Sequence, residues 1–223
     1  ATTLLRFRRL LETHSLTQQI FAAVNYQLAS KGLYLKEGTV VDATIIAAPP
    51  STKNKSKSRD PEMRSTKKGN QYYFGMKAHI GADAASGLVH TLVTTAANVH
   101  DVNQAHALLH GEEQQVYGDS GYLGADKREE NKDKDVEWVV AMRHGKRRKL
   151  RDSGTEEGQL ADKIEKLKSR IRAKVEHPFY WVKVHFGHRK TRYRGLAKNT
   201  AHLYSLFALA NLFLSKRCMP LAG

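Results

Sequence analysis

The stretch TVVDATIIAAPP, residues 39–50, decides the fold that the sequence predicts. Its β-branched residues are typical of a buried strand, and Pro49 and Pro50 end that strand. Asp42 lies near the middle of the run, where a carboxylate is costly unless it is paired or binds a metal. An edge strand with Asp42 facing water, or a partner Arg or Lys, would also explain this position. Further acids in equally unfavourable positions would favour a functional site.

The composition indicates one sizeable domain that binds a polyanion. The chain has 223 residues, and its 37 Lys and Arg outnumber 22 Asp and Glu, which gives a formal net charge of +15. The longest nearly apolar run, residues 203–214, is shorter than the roughly 20 residues of a membrane span. No amphipathic anchor is visible, so nucleic acid is favoured over a membrane surface, and no membrane partner is expected. Cys218 is the only cysteine, which excludes an internal disulfide and favours a cytoplasmic location.

Hydrophobic periodicity predicts an α/β domain with a mixed sheet. Two helices over residues 3–31 precede the strand at 39–47, and the basic segment 51–70 is expected to be a flexible loop. A second loop is expected over 144–158. The remaining expected elements are a hairpin over 72–98, a helix over 100–110, a strand from 115 that ends in a glycine-bracketed turn, a strand over 136–143, a long helix from Gln159 and a last helix through Leu203 and Leu214.

A second unusual acid is Asp119 in VYGDSGY, at the end of an apolar strand. Gly118 and Gly121 flank it and allow a sharp turn and the close approach of another group. The carboxyl ends of strands are where open α/β sheets place their sites. A turn aspartate that accepts backbone N–H bonds is the alternative interpretation.

The third candidate acid, Glu176, lies on the long helix. Arg172 and Lys183 share its helical face, away from the apolar stripe. Pro178 is expected to kink the helix just after Glu176. A solvated charged face with an Arg172–Glu176 pair is the alternative. Glu165 lies on nearly the same face but about 16 Å earlier at 1.5 Å per residue, too far to share an ion with Glu176.

Two aspartates on strands and one glutamate on a later helix, in a strongly basic chain, have a joint chemical meaning. Two-metal phosphodiester cleavage needs carboxylates around ions roughly 3.5–4 Å apart, and Mg²⁺ prefers such oxygen ligands. Lys and Arg around the ions would hold the nucleic-acid backbone. The 11 His residues show no zinc-finger spacing and are not assigned to a metal.

The chain resembles bacterial insertion-sequence transposases of the DDE class, specifically the "insertion sequence five" group. The resemblance implies an α/β, ribonuclease-H-like fold, with a mixed five-stranded sheet flanked by helices and a short N-terminal helical segment. It implies a helical segment over 1–37, a catalytic domain over 38–217 and a tail over 218–223. The matching blocks are GTVVDATIIAAPPSTKNK, RDPEMRSTKKGNQYYFGMKAHIG, TTAANVHD, VYGDSGYLG, AMRHGKRR, IRAKVEHPFYWVKVHFG, KTRYRGLAKN and NLFL.

The resemblance also implies an activity. A DDE transposase cleaves the ends of its insertion sequence and transfers them to target DNA with two Mg²⁺ or Mn²⁺ ions. The family's metal-binding acids match Asp42, Asp119 and Glu176 here. The R-x₃-E-x₆-K part of the wider signature Y-x₂-R-x₃-E-x₆-K adds Arg172 and Lys183 as catalytic residues.

Two departures from the family pattern leave alternatives open. Ser169 occupies the Tyr position of the signature, so any role of that Tyr lacks its residue. The first residues resemble the family's mid-sequence T-T-x-L-x-F-R-x-L-L-E, which predicts an N-terminally shortened transposase. A DNA-binding remnant without transposition and a stand-alone ribonuclease-H-like nuclease are the alternatives.

The expected partner is double-stranded DNA, both element ends and target, bound by a homodimer assembled on DNA. The expected location is the cytoplasm, in association with the nucleoid. Phosphate contacts are expected from twelve basic residues, which are Lys53, Lys55, Lys67, Lys68, Arg143, Lys146, Arg147, Arg148, Arg189, Lys190, Arg192 and Arg194.

Overall fold

A computed structural model describes residues 2–34, 37–55 and 57–218 of the chain, with side chains to residue 216. The α-helices in this part are α1 (Thr2–Thr13), α2 (Leu16–Ser30), α3 (Glu129–Lys132), α4 (His144–Asp152), α5 (Glu156–Arg172), α6 (Glu176–Tyr180) and α7 (Leu196–Cys218). The strands are β1 (Gly38–Ala47), β2 (Arg64–Lys68), β3 (Gln71–Asp83), β4 (Val89–Ala96), β5 (Gln115–Gly118) and β6 (Glu137–Val140). A 3₁₀-helix spans Asp101–Leu108.

All six strands form one mixed sheet. Strand β1 pairs antiparallel with β3 and parallel with β5, and β5 pairs parallel with β6. Gly75 on β3 pairs with Ala47 on one side and Arg64 on the other, so β2 and β4 follow each other along the outer edge of β3. The predicted α/β class, a ribonuclease-H-like mixed sheet flanked by helices, is confirmed. The predicted count of five strands is corrected to six, because β2 was expected to be loop.

The segment 51–70 is therefore not a free loop throughout. Met63 is only 1% exposed. Asp60 Oδ2 accepts a hydrogen bond from Gly195 N at 2.6 Å, and Glu62 Oε2 accepts one from Leu196 N at 2.6 Å. Both acids thus cap the start of α7. The strand was missed because an edge strand made of RSTKK carries no apolar alternation.

The two faces of the sheet are covered by different layers. Val40 and Ile46 of β1 lie in the larger core, which α2, α6 and α7 complete. Val41 lies in the smaller core on the opposite face, under the 3₁₀-helix. Because side chains alternate along a strand, Asp42 lies on the same face as Val40 and Ile46. The unusual acid therefore points to the layer that contains α6.

Helix α2 packs onto the same core as the sheet. Phe21 is 4% exposed and belongs to the larger core. Asn211 of α7 donates from Nδ2 to Asn25 Oδ1 at 2.8 Å and accepts from Val89 N at 2.9 Å. These bonds join α2, α7 and β4. The predicted tail from residue 219 onwards lies outside the described residues.

Helices α4 and α5 form a hairpin where a loop was predicted over 144–158. Arg147 Nε on α4 donates to Asp162 Oδ1 on α5 at 2.9 Å, which pairs the two helices. The loop prediction was wrong because α4 has almost no apolar residues, so no hydrophobic periodicity marks it as a helix. Helix α5 begins after Thr155, whose side chain accepts from Gly158 N.

A buried ion pair ties α5 to the sheet. Glu165 Oε2 accepts from Met142 N at 2.8 Å, and Oε1 lies 2.9 Å from Lys168 Nζ. Lys168 Nζ also reaches Val140 O at 3.2 Å. The Glu165 side chain is 3% exposed, so its charge depends on these partners. We call this contact the Glu165–Lys168 clamp.

Removing the clamp should destabilise the fold. Glu165→Ala leaves Lys168 without its counterion and a backbone N–H without its acceptor, and a broken buried pair typically costs about 3–5 kcal/mol. Urea unfolding should show this loss as a lower midpoint. Glu157→Ala, an exposed acid on the same helix, should cost less than about 1 kcal/mol. Equal effects of the two substitutions would contradict the structural role of the clamp.

Candidate active site

The parallel pairing of β1 and β5 brings two of the predicted acids together. The last paired residues of the ladder are Val40 and Tyr117. Two residues further along each strand are Asp42 and Asp119, and neighbouring strands lie about 4.8 Å apart. Tyr117, like Val40, packs on the larger core, so the alternation places both aspartates on that face.

The third acid reaches the same place from the helical layer. Asp42, Asp119 and Glu176 line a single cleft of about 480 Å³. Glu165 is not among the residues that line it, which agrees with the expectation that this acid is too far away. Basic side chains line the cleft as well: Lys68, Arg172 and Lys183.

A change in helix type presents Glu176 to the cleft. Helix α5 ends at Arg172, a 3₁₀ turn spans Ala173–Val175, and α6 begins at Glu176. A π-helical turn, Trp181–His185, follows α6. The irregular turns flank Pro178, which has no N–H to give to the preceding helical turn. The predicted kink at Pro178 therefore takes the form of two irregular turns.

Each aspartate uses one carboxylate oxygen for the backbone. Asp42 Oδ1 accepts from Ala43 N at 2.7 Å, and Asp119 Oδ1 accepts from Gly121 N at 2.8 Å. Within the described residues neither Oδ2 has a hydrogen-bond partner. A side chain at Gly121 would come within 2.9 Å of Asp119 Oδ1, so the glycine is required by close approach. Asp119 is both the turn aspartate of the alternative interpretation and a cleft residue.

The electrostatics of the cleft disfavour an isolated negative charge on Asp42. Burial, together with the Asp119 and Glu176 carboxylates, raises the pKa of Asp42 from 3.8 to about 7. The Ala43 N–H bond and the Arg172 guanidinium act in the opposite direction. Burial and the nearby Lys68 lower the pKa of Lys183, while Glu176 raises it.

The donor chemistry of the cleft fits hard divalent cations. Its uncommitted donors are carboxylate oxygens, which Mg²⁺ and Mn²⁺ prefer. In the part of the chain that is described, the three acids do not form a compact ligand set for one ion. A two-ion site needs a wider arrangement, because the ions themselves are roughly 3.5–4 Å apart.

A compact cluster occurs instead at His90, His110 and Glu113, whose ligand-type atoms lie within 4.8 Å of one another. Glu113 Oε1 accepts from His110 N at 2.6 Å, and Oε2 accepts from Gly111 N at 2.7 Å. Thr39 Oγ1 also donates to Glu113 Oε1, at 3.1 Å. These hydrogen bonds engage both carboxylate oxygens and anchor the loop before β5 to β1.

The predicted phosphate-binding residues have different surroundings. Lys68 lines the cleft, and Arg189 is close enough to lower the pKa of Lys183. Arg147 is half-buried and held by Asp162, which makes it less available than expected. The others are exposed and scattered, and their contacts with DNA stay predictions: Lys53, Lys55, Lys67, Arg143, Lys146, Arg148, Lys190, Arg192 and Arg194.

Sequence reasoning missed two polar residues of the cleft. Thr44 lies on β1 two residues after Asp42, on the same strand face. Tyr180 lies one helical turn after Glu176 and is 55% exposed. The two spacings, i to i+2 on a strand and i to i+4 on a helix, would have identified both residues.

The ribonuclease-H-like sheet and its acidic cleft define a class of metal-dependent nucleic-acid enzymes. A family model described as "Transposase DDE domain" matches residues 34–212. The chain therefore belongs to the DDE transposase family, as the sequence blocks predicted. No solved structure matches the chain. Among the described residues, no helix has both the length and the apolar character to cross a membrane.

The raised pKa of Asp42 predicts a pH-dependent stability. Its folded pKa of about 7 lies above the usual 3.8, so this carboxyl costs no stability below pH 3.8 and progressively destabilises the fold as pH rises through 7. In chelator, Asp42→Asn should therefore be more stable than wild type at pH 8, by on the order of 1–4 kcal/mol. The advantage should shrink at pH 5.

Thermal melts at both pH values provide the measurement. Asp133→Asn, at an exposed position, is the matched control and should show no such pH dependence. If the stability of Asp42→Asn depended on pH in the same way as that of wild type, the ionised Asp42 carboxyl would not destabilise the fold.

Proposed function

We propose that this chain is a DNA transposase of the insertion-sequence-five group that catalyses metal-dependent cleavage and strand transfer. The observation that carries the proposal is the meeting of Asp42, Asp119 and Glu176 in one basic cleft. Two Mg²⁺ or Mn²⁺ ions, when bound there, supply Lewis-acid activation of the attacking and leaving oxygens. Water is the first nucleophile, and the freed 3′-OH is the second, attacking target DNA.

The three acids would hold the ions in this proposal. The Asp42 carboxyl interacts electrostatically with both Asp119 and Glu176, so the three groups would act on the ions together. Asp42 must be ionised for this, and Arg172 favours that state. Positive charge of the ions would lower the pKa of Asp42 further. Each aspartate offers Oδ2 to an ion while Oδ1 stays on the backbone, which keeps the side chain oriented.

The basic residues of the cleft position the substrate. Arg172 and Lys183 border the acids and would bind the oxygens of the scissile phosphate. Lys68, which comes from β2 and is near Lys183, would hold a neighbouring phosphate. Element ends and target DNA are the proposed substrates, bound by a homodimer at the nucleoid. Residues 38–217 form the proposed catalytic domain, and 1–37 an accessory helical segment.

The metal site can be tested by single substitutions that keep side-chain shape. Asp42→Asn, Asp119→Asn or Glu176→Gln should each lower Mg²⁺-dependent nicking of a duplex carrying the element end by at least about 1,000-fold. Loss of a ligand removes the ion but leaves the phosphate-binding residues in place. DNA affinity should therefore change little.

The control for this experiment is Glu157→Gln, at an exposed acid outside the cleft, which should nick like wild type. Normal nicking by a folded Asp119→Asn protein would refute the site. A wild-type protein that binds DNA but never nicks it with Mg²⁺ or Mn²⁺ would instead support the inert remnant. Nicking without strand transfer would support the stand-alone nuclease.

The basic residues predict a salt dependence of DNA affinity. Each neutralised phosphate contributes a slope of about −0.9 to log K against log salt concentration in duplex DNA. Lys68→Ala and Arg189→Ala should each make the slope shallower by about that amount, uniformly across sequences. Lys31→Ala, at an exposed position at the end of α2, should leave it unchanged. A flat slope for wild type would contradict phosphate binding.

A further inference from the structure

Helix α5 turns its apolar side to solvent and buries two acidic side chains against the protein. Leu160 is 60% exposed, Ile164 46% and Leu167 56%. The residues of the same helix that face inward include Asp162, at 6% exposure, and Glu165, at 2%. A surface helix normally shows the reverse arrangement, so the outer stripe needs a partner.

We propose that this stripe is a homodimer interface, in which α5 pairs antiparallel with α5 of a second copy. Leu160, Ile164 and Leu167 follow one another at intervals of four and three residues, the spacing of a coiled-coil seam. Ile171 continues the spacing but packs against the core of its own chain. The free seam is therefore two helical turns long.

The charges along α5 select the second copy and its direction. Glu156 and Glu157 occupy the first turn, and Lys163 and Arg170 lie further along, all of them exposed. Antiparallel pairing places the acidic start of one helix beside the basic half of the other, and a twofold axis repeats the contact. Parallel pairing would place like charges side by side.

The register follows from matching the apolar residues. Leu160 packs against Ile164 of the second copy and, by symmetry, Ile164 packs against its Leu160. Position 156 then lies opposite position 168 of the second copy, so Glu156 is near its Arg170. The exposed apolar side chains of α1, such as Leu4 and Leu5, lack this self-complementarity, because the charges next to them are Arg6, Arg8 and Arg9.

The dimer would also set the distance between two clefts, and this consequence alone rests on the proposed function. The Glu165–Lys168 clamp holds α5 to the sheet, and α5 leads directly to Arg172 and Glu176. The two Arg172 residues would lie at opposite ends of the seam, roughly 30 Å apart at 1.5 Å per residue. Each cleft could then take one DNA end.

The interface is small. Two helical turns bury less than the roughly 800 Å² per partner of a standard interface, so the dimer should be weak and depend on concentration. The appropriate measurement is sedimentation equilibrium without DNA or metal, at tens to hundreds of micromolar protein, where a dimer with a dissociation constant of roughly that size would be detected. Wild type should shift from its monomer mass of 25.1 kDa towards twice that value.

Three variants test the surface and its polarity. Ile164→Gln should weaken the dimer at least about tenfold, while Leu5→Gln on α1 should leave it unchanged. Glu156→Lys should weaken it as well, because the introduced lysine meets Arg170 of the second copy. The double variant with Glu156→Lys and Arg170→Glu should recover dimerisation, since the exchanged charges face each other again. Thermal melts would exclude unfolding as the cause.

The opposite results would overturn the proposal. A wild-type protein that remains monomeric at the highest concentration, or an Ile164→Gln protein that dimerises normally, has no α5 interface. Failure of the double variant to recover while it melts normally would exclude the antiparallel register. Weaker DNA binding by Ile164→Gln without any change in mass would make the stripe a DNA surface instead. Because these measurements omit DNA and metal, a dimer without nicking activity would refute the proposed function alone.

Discussion

The pairing of β1 with β5 is the constraint on which the rest of the structure depends. It places Asp42 and Asp119 side by side on a sheet face that is otherwise apolar. Burial removes water from the Asp42 carboxylate and the neighbouring Asp119 carboxylate repels it, and both effects raise the pKa of Asp42. Positive charge offsets this cost. Arg172 supplies it within the chain and, in the proposed function, divalent ions would supply more.

The helical layer then determines how the third acid meets the other two. Val175, Phe179 and Val182 are buried against the sheet across the 3₁₀ turn, α6 and the π-helical turn. Glu176 lies between these anchors and is exposed to the cleft. The position of this irregular helix is in turn fixed by α5 and its Glu165–Lys168 clamp. Packing of these anchors therefore fixes the position of Glu176, although the Glu176 side chain itself contributes little to the packing.

The positive charge of the chain is divided between structure and the proposed DNA contacts. Arg147 and Lys168 are paired with buried acids and hold α4 and α5 together and against the sheet. The carboxylates of Asp60 and Glu62 accept hydrogen bonds from the backbone at the start of α7. Lys68 and Lys183 remain in the cleft, and among the residues that the structure describes no acid outside the candidate site forms an ion pair with them. A net charge of +15 thus indicates a polyanion but does not say which cations meet it.

The sequence by itself predicted the fold class, the central strands and three candidate acids, because these depend on local patterns and on specific motif blocks. A carboxylate inside a β-branched run and a glycine-bracketed aspartate at a strand end are unusual enough to be singled out as candidates without coordinates. Only the tertiary structure decided that β2 is a strand, that α4 is a helix and that Glu165 is a buried clamp. Polar and charged segments such as 64–68 and 144–152 carry no hydrophobic period, and their order comes from pairing with the elements that follow them, β3 and α5. The sequence also did not reveal that the apolar stripe of α5 faces solvent. Periodicity shows that a helix has an apolar side, but only the packing of the other elements decides whether that side is buried.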